Sequence, residues 1–403
     1  MARHAVASRD DVPGSTAKSV LAAALAVSFI VTVVGLIFLW PRGAAPEPGA
    51  GFRESQSIAA EAYAGEVTSV FESACGSPAA GTVFDGGAAL RVPPGQECTS
   101  AEISISEGPD EGRTTLLQTS GRPGEPTYSE GDRIRLARQG EPASYFFLDM
   151  DRTAPLTLWL AVTAVAVMAA AAWRGVRALV GLAWTLFAVG IFLVPALLRG
   201  GAPIPLAVVA GSAILFPVMF LVHGVNWKSA SALGGTLVSL AVSAGLAHVV
   251  IGSTNLRGLA DDSNLLIQLY LPTVSITGLM LAGFIIGTLG ALNDATVAQA
   301  STVAELAEAN PGALPAQLFT SAMRVGRDHI ASMVYTLVLA YVGAALPMTV
   351  LLAVVDRPLG QVLTSDVVAT ELLRSAVGAM GLALAVPATT VIAALTVGRA
   401  RKI

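Results

Sequence analysis

Residues Pro272 to Asp294 read PTVSITGLMLAGFIIGTLGALND, an unbroken apolar run that stops at an amide and a carboxylate, Asn293 and Asp294. A hydrocarbon core of roughly 30 Å takes about 20 helical residues at about 1.5 Å each. The run is therefore long enough to cross a bilayer as far as Leu292, and its polar end marks the exit. Seven further stretches have similar length: Ser19 to Trp40, Thr153 to Trp173, Ala178 to Leu198, Pro203 to Val222, Ser229 to Ile251, Ile330 to Val354 and Val377 to Val397. The composition agrees, with 54% hydrophobic and 13% charged residues and a mean hydropathy of +0.66, outside the range of an ordinary soluble domain. The predicted fold is a mainly α membrane protein, a polytopic bundle of about eight transmembrane helices. The lipid bilayer is its first partner. A net charge of -4 without a basic tract excludes a nucleic-acid surface.

Basic residues of short loops tend to stay in the cytoplasm. One side holds eleven: Arg3, Arg9, Lys18, Arg174, Arg177, Lys228, Arg324, Arg327, Arg399, Arg401 and Lys402. The other holds four, Arg199, Arg257, Arg357 and Arg374. Both termini are accordingly predicted to be cytoplasmic, as tails 1–18 and 399–403. The apolar stretch of the first span, 19–40, is longer than a cleavable signal core, and no small-x-small site follows it, so it reads as an uncleaved signal anchor. Residues 41–152 then lie outside the cytoplasm, and 153–398 form a seven-helix transmembrane domain.

Between the first two spans the composition turns to Gly, Pro, Ser and charge. Pro41 to Gly51 looks like a flexible tether. Strand-like runs follow at Gly65–Phe71, Ala88–Val92, Glu102–Ser106, Thr114–Thr119, Arg133–Ala137 and Ser144–Leu148, separated by turn residues. Gly131-Asp132-Arg133-Ile134-Arg135-Leu136 is a turn followed by the strict alternation of a half-buried strand. A small β-rich domain, barrel- or sandwich-like, is expected. It alone contains cysteine, Cys75 and Cys98. In an oxidising compartment a disulfide is the natural inference, whereas two cysteines without nearby histidine supply only half a zinc shell.

Within the membrane, Ser231, Gly235, Ser239 and Ser243 make one small-residue stripe, and Gly283, Gly287 and Gly290 make another that continues to Asp294. Such stripes let helices approach closely; the second also reads as a glycine-lined path to the carboxylate. Pro217, Pro347 and Pro387 inside spans predict kinks. Ala295 to Ala309 reads as a helix with Val297, Val303 and Leu306 on its apolar side. Asn310-Pro311-Gly312 breaks it, and a second helix starts near Pro315. A cytoplasmic helical hairpin at about 294–329 follows. Along the next span Asp328, Ser332, Thr336 and Gly343 approximate one polar or small face.

The strings Gly290-Ala291-Leu292-Asn293-Asp294-Ala295-Thr296-Val297-Ala298-Gln299-Ala300-Ser301 and Gly326-Arg327-Asp328-His329-Ile330-Ala331-Ser332 are followed by Thr336-Leu337-Val338-Leu339-Ala340-Tyr341-Val342-Gly343 and Leu346-Pro347. They closely resemble the YibE/F family of bacterial multi-pass membrane proteins, from about Ala154 onward. The resemblance implies a bacterial plasma membrane and an anchored extracytoplasmic region. It marks Asn293, Asp294, Gln299, Arg327, Asp328, His329, Thr336 and Tyr341 as motif positions without assigning roles.

Three chemistries fit these residues, joined by Ser332 on the same face. Asp294 and Arg327 pair across the hairpin as a structural clamp; Asp294, Asp328 and His329 relay a proton or cation; or the same three ligate a metal, for which the spacing is not diagnostic. His223 and His248 read as solvated or locally bonded. No Walker sequence, paired-histidine metalloprotease motif or nucleophile elbow is present, so neither an enzyme nor a cofactor is expected. Two functions stay open. One is a transporter or permease component with its polar site at the cytoplasmic ends of the sixth and seventh spans. The other is a structural or signalling envelope protein whose outer domain binds a ligand or partner and whose hairpin relays that state to a cytoplasmic partner. Either leaves room for a homo-oligomer.

Overall fold

The computed structural model describes residues 13–49, 52, 61–85, 97–259, 262–355 and 357–397. The predicted tail 399–403, most of 1–18 and the strand-like run Ala88–Val92 lie outside these. The chain forms two compact units, one of residues 1–47 and 170–403 and one of residues 48–169.

Among the described residues the smaller unit has six antiparallel strands: β1 Ala62–Ala74, β2 Val83–Phe84, β3 Glu97–Ile105, β4 Thr114–Thr119, β5 Arg133–Gln139 and β6 Ser144–Met150, in the order β2-β4-β3-β1-β5-β6. The alternation read at Arg133 to Leu136 holds, because Ile134 and Leu136 are fully buried while Arg133 faces water. They join Val67, Ile103, Ile105, Leu117 and Tyr145 in one core. Burying each large side chain stabilises the unit by about 1.5–3 kcal/mol. The sheet curls until its ends meet. The N–H of Tyr145 on β6 donates to the carbonyl of Gly81, two residues before β2, and the Gly81 N–H donates to Leu116 on β4, each at 2.7 Å. Gly81 has φ +76°, and a Cβ there would lie 3.0 Å from the Tyr145 carbonyl oxygen, so closure requires glycine. The expected barrel- or sandwich-like domain is a single curled sheet.

Cys75 and Cys98 are disulfide-bonded, with Cα atoms 5.1 Å apart and a separation of 23 residues. Beside them the Gln118 amide donates to Ser73, Ser100 and the Ala74 carbonyl and accepts from the Ser77 N–H, closing the end of β1 onto β3 and β4. At the other end Asp110 gathers Arg113, Arg138 and the Tyr145 hydroxyl, which donates at 2.9 Å. Desolvation pushes the Asp110 carboxyl up, but the hydrogen bonds from Tyr145, Arg138 and Arg113 outweigh it, so it titrates below the usual carboxylate range. Burial, then the bond to Asp110, pushes the Tyr145 phenol up to about 12.

The larger unit is helical: α1 Pro13–Phe38, the second part of α2 Thr153–Ala188, α3 Val194–Leu198, α4 Pro203–His223, α5 Trp227–Thr254, α6 Asp262–Tyr270, α7 Ile276–Ala309, α8 Pro315–Ala344, α9 Leu346–Val354, α10 Leu359–Leu363 and α11 Asp366–Thr396. Among the described residues, six helices are long and apolar enough to cross a membrane, or seven if α8 and α9, bent by 67°, count as one span. Residues Thr153–Leu198 form one 46-residue apolar segment. It breaks at Ala172 (φ 49°, ψ -131°) and widens into a π-turn at Val189–Leu193, ahead of Pro195, which has no N–H to donate.

Caps set the other ends. Asn226 Oδ1 accepts from Ser229 N–H at the start of α5, Ser275 Oγ accepts from Gly278 N–H at the start of α7, and Gln317 Oε1 accepts from Leu314 N–H as α8 begins at Pro315. The predicted kinks are realised unevenly: α4 and α11 run on through Pro217 and Pro387, whereas the chain turns at Pro347. Pro217 frees the carbonyl of Ala213, and the Trp184 indole N–H of α2 donates to it at 3.0 Å. The hairpin is present, but α7 passes through Asn293 and Asp294 as one 34-residue helix. The tether begins as predicted without regular structure, yet the Arg199 guanidinium donates twice to the Gly43 carbonyl.

Two outcomes follow. Alkylation of the intact protein without reductant leaves Cys75 and Cys98 unlabelled in peptide mass spectra, and Cys98→Ser lowers sheet-domain stability by about 3 kcal/mol in denaturant titration. Because the folded pKa of Asp110 is depressed, its contribution is present above the unfolded value and lost as pH falls through the folded one. Thermal midpoints measured from pH 7 down to about pH 3 fall less in Asp110→Asn than in the parent.

Candidate functional site

In hydrocarbon, helices gain nothing by hiding apolar surface from one another, so contact depends on close packing and on hydrogen bonds. Helices α5, α7 and α11 meet along small and hydroxylated residues. The stripe Ser231, Gly235, Ser239 and Ser243 is fully buried, as a packing face requires. Ser231 and Thr396 hydroxyls lie 2.7 Å apart, and those of Thr236 and Thr296 2.6 Å apart. A Cβ at Gly235 would lie 2.8 Å from Thr389 Cβ. Gln299 is fully buried; its amide donates to Thr390 Oγ1 at 2.8 Å and to the Ala322 carbonyl at 3.0 Å, tying α7 to α11 and α8. Gly326 of α8 leaves space for it, since a Cβ there would stand 3.0 Å from Gln299 Oε1 and 2.7 Å from Val386 Cγ1. Further along, Gly381 lies against Ser243, and Gly378 against Thr288 and Leu337.

At the far end of this seam sits a charge. Arg374, placed by the sequence in an outer loop, instead belongs to α11. Its side chain is 26% exposed and paired at 3.0 Å with Glu371, itself 21% exposed. The guanidinium lies over Phe284 of α7 at 5.3 Å and over Tyr341 of α8 at 5.5 Å, two cation–π contacts. Arginine within an apolar helix is tolerated when so paired, and such residues mark function more often than packing. The Tyr341 hydroxyl sits against Gly287, where a Cβ would come within 2.7 Å. Glu371 borders two small cavities, one of about 90 Å³ shared with Asn264, Asp366 and Arg374 and an apolar one of about 40 Å³. A wider cavity of about 510 Å³ opens at the same end, between His248, Asn255, Arg257 and Thr277.

The motif residues divide between this seam and the surface. Gln299 and Tyr341 belong to the seam. Asp294, Arg327, Asp328, Ser332 and Thr336 are exposed, and Asn293 and His329 are half-buried. The expected Asp294–Arg327 clamp is not formed: among the described residues Arg327 has no ion pair, because α7 and α8 turn these side chains outward. Asp294 instead faces the Asn293 amide and the His223 imidazole at the end of α4, and Lys228 and Arg174 act on that same imidazole. Thr336 donates to the Ser332 carbonyl one turn back. The Nδ1 of His329 is buried without a partner. Among the described residues, no three of His, Cys, Asp and Glu converge as metal ligands. The glycine stripe leading to Asp294 packs only at Gly287, against Tyr341: Gly283, Gly287 and Gly290 are exposed, and a Cβ at Gly283 or Gly290 would meet nothing within 4 Å.

Apolar helices of spanning length, knit together by buried hydroxyls and glycines, define a multi-pass membrane protein. Residues 159–399 match the family model of YibE/F-like protein, which covers more than half of the chain. The chain belongs to the YibE/F-like family. Comparison with curated proteins and with solved structures gives no match.

The two glycine environments predict opposite responses to one methyl group. Gly235→Ala forces α5 from α11 and destabilises by about 1–3 kcal/mol, whereas Gly290→Ala is neutral or stabilises by up to about 1 kcal/mol through helix propensity. Thermal denaturation in a mild detergent separates the two.

Proposed function

We propose that this chain is a transporter or permease component, and that the seam between α5, α7, α8 and α11 is its pathway for a proton or small ion, held closed. One observation carries this reading. From Thr396 to Arg374 the seam follows α11 for about 33 Å, the thickness of a hydrocarbon core, and five of its buried polar atoms have no partner among the described residues: Ser243 Oγ, Thr389 Oγ1, Gln299 Oε1, Tyr341 OH and Arg374 Nε. Leaving a polar atom unsatisfied costs about 1–3 kcal/mol each. A bundle that served only to pack would use methyl groups at these positions. A path that passes water or ions needs such atoms, and they stand unpartnered while it is shut. Asn293, Asp294, Arg327, Asp328 and His329, level with the middle of that path because Gln299 meets Thr390 and Gly326 meets Val386, then flank it as its charged relay, with His223 as the neighbour of Asp294, and Arg374–Glu371 gates one end. Crossing twice, once on each side of Ala172, is the arrangement that suits residues 153–198: 46 residues extend about 69 Å, more than twice the core. That reading has eight spans, and with the basic residues of the short loops in the cytoplasm it has the sheet domain outside.

The second reading, an envelope sensor, draws on the Arg199–Gly43 bond. It fastens the start of the tether to the turn between α3 and α4, where a load on the outer domain would enter the bundle.

Flux into liposomes decides between them. Gln299→Leu and Arg374→Ala abolish proton or ion uptake, and Asp294→Asn or Asp328→Asn reduces it at least tenfold, with expression and monodispersity kept. Flux through the parent protein that is unchanged in all four variants, or absent across a panel of ions and solutes, overturns the transport reading.

A further inference from the structure

Helix α1 packs chiefly on α4, where Phe29 meets Phe216 with ring centroids 5.3 Å apart and a Cβ at Gly35 would lie 2.6 Å from Val209 Cγ2. Of its most apolar window only 11% is buried, and it touches α5 closely where Gly234 lets Leu21 settle, a Cβ there standing 2.9 Å from Leu21 Cδ1. Beside that contact α1, α5 and α11 line a groove of about 860 Å³. The groove runs along α1 from Thr16 to Ser28, along α5 from Gly234 to Ala241 and along α11 from Ile392 to Thr396. Its walls are almost wholly aliphatic. Twelve helical steps, Thr16 to Ser28, are about 18 Å, close to the depth of one leaflet, half of a roughly 30 Å core.

A charge stands beside the Thr16 end of the groove, next to its lining residues Ala17 and Thr16. Lys18, two residues from Thr16, places its ammonium 5.5 Å above the Trp227 indole ring and has no carboxylate partner among the described residues. Tryptophan and lysine together are the residues of a membrane–water boundary. The sequence adds Arg399, Arg401 and Lys402 within six residues after Thr396. An aliphatic slot one leaflet deep that begins at an unpaired cation is complementary to a lipid whose headgroup is negative, and basic sites between helices on the cytoplasmic side take such headgroups.

We infer that the groove between α1, α5 and α11 is a binding site for one anionic phospholipid, its acyl chain along Gly234–Ala241 and its phosphate at Lys18 above Trp227. The lipid fills the gap that the protein leaves and fastens the anchor helix to the bundle from the side on which the basic residues concentrate. A second copy of the chain would need a broader face and has no use for the lysine.

Native mass spectrometry of the full chain in mild detergent tests this, with phosphatidylglycerol and phosphatidylcholine of identical acyl chains as probes. The parent protein retains phosphatidylglycerol at about fivefold lower concentration than phosphatidylcholine, the ratio one lysine near a charged headgroup supplies. Lys18→Gln removes that preference and Lys18→Arg keeps it. Ala241→Trp, which fills the slot, removes the tightly held lipid of either kind, and the thermal midpoint with phosphatidylcholine shows whether that variant is folded. Equal retention of the two lipids by the parent, or a preference unchanged in Lys18→Gln, overturns the inference. So does a dimer mass that Ala241→Trp abolishes while lipid retention stays.

Discussion

Close approach of helix backbones in a solvent without water is the constraint on which the helical unit rests. Lipid tails are as apolar as leucine, so α5, α7 and α11 are held by what small residues permit: backbones near enough for hydroxyls to reach across, as between Ser231 and Thr396 or Thr236 and Thr296. Gln299 extends this to α8, and Gly326 makes the room. The same choice of residues that brings the helices together also fills their interface with polar atoms. Packing and a polar route are two outcomes of one arrangement of side chains.

The sheet domain solves the opposite problem. In water it has a hydrophobic driving force, and its core of Val67, Ile103, Ile134 and Leu136 uses it. What a small sheet lacks is a way to protect its edges. Here the edges are drawn together through Gly81 and Tyr145, while the disulfide and the Gln118 cluster secure one end and Asp110 with its arginines the other.

Much of this was legible in the residues. Asn310-Pro311-Gly312 and Pro315 located the hairpin, because breakers act locally; turn residues between strand-like runs located five strands, with alternation marking Arg133–Leu136, while the two-residue strand Val83–Phe84 gave no such signal. The cysteine pairing followed from there being two in one domain. The rest depended on tertiary partners. Arg374 looks like a loop residue when an apolar run is counted from Val377; nothing nearby in sequence announces that α7 and α8 bring Phe284 and Tyr341 against it. Asp294 was matched to the nearest arginine along the hairpin, yet His223 arrives from α4. Two stripes of small residues looked alike in sequence, and only the placement of neighbours distinguishes the buried one at Ser231–Ser243 from the open one at Gly283–Gly290. Gln299 stood out as a motif position, but its role as the three-helix junction needed Thr390 and Ala322 in view.

The bond from the Trp184 indole to Ala213 carries a lesson about neighbours. A proline ring at position 217 strips its helix of one internal donor, and in oil no solvent molecule steps in. The aromatic side chain on the adjoining helix supplies what was lost, so positions 184 and 217 form one unit of construction. Exchanging the indole alone would strand a bare oxygen in the hydrocarbon, whereas exchanging the ring alone would have two donors share one carbonyl.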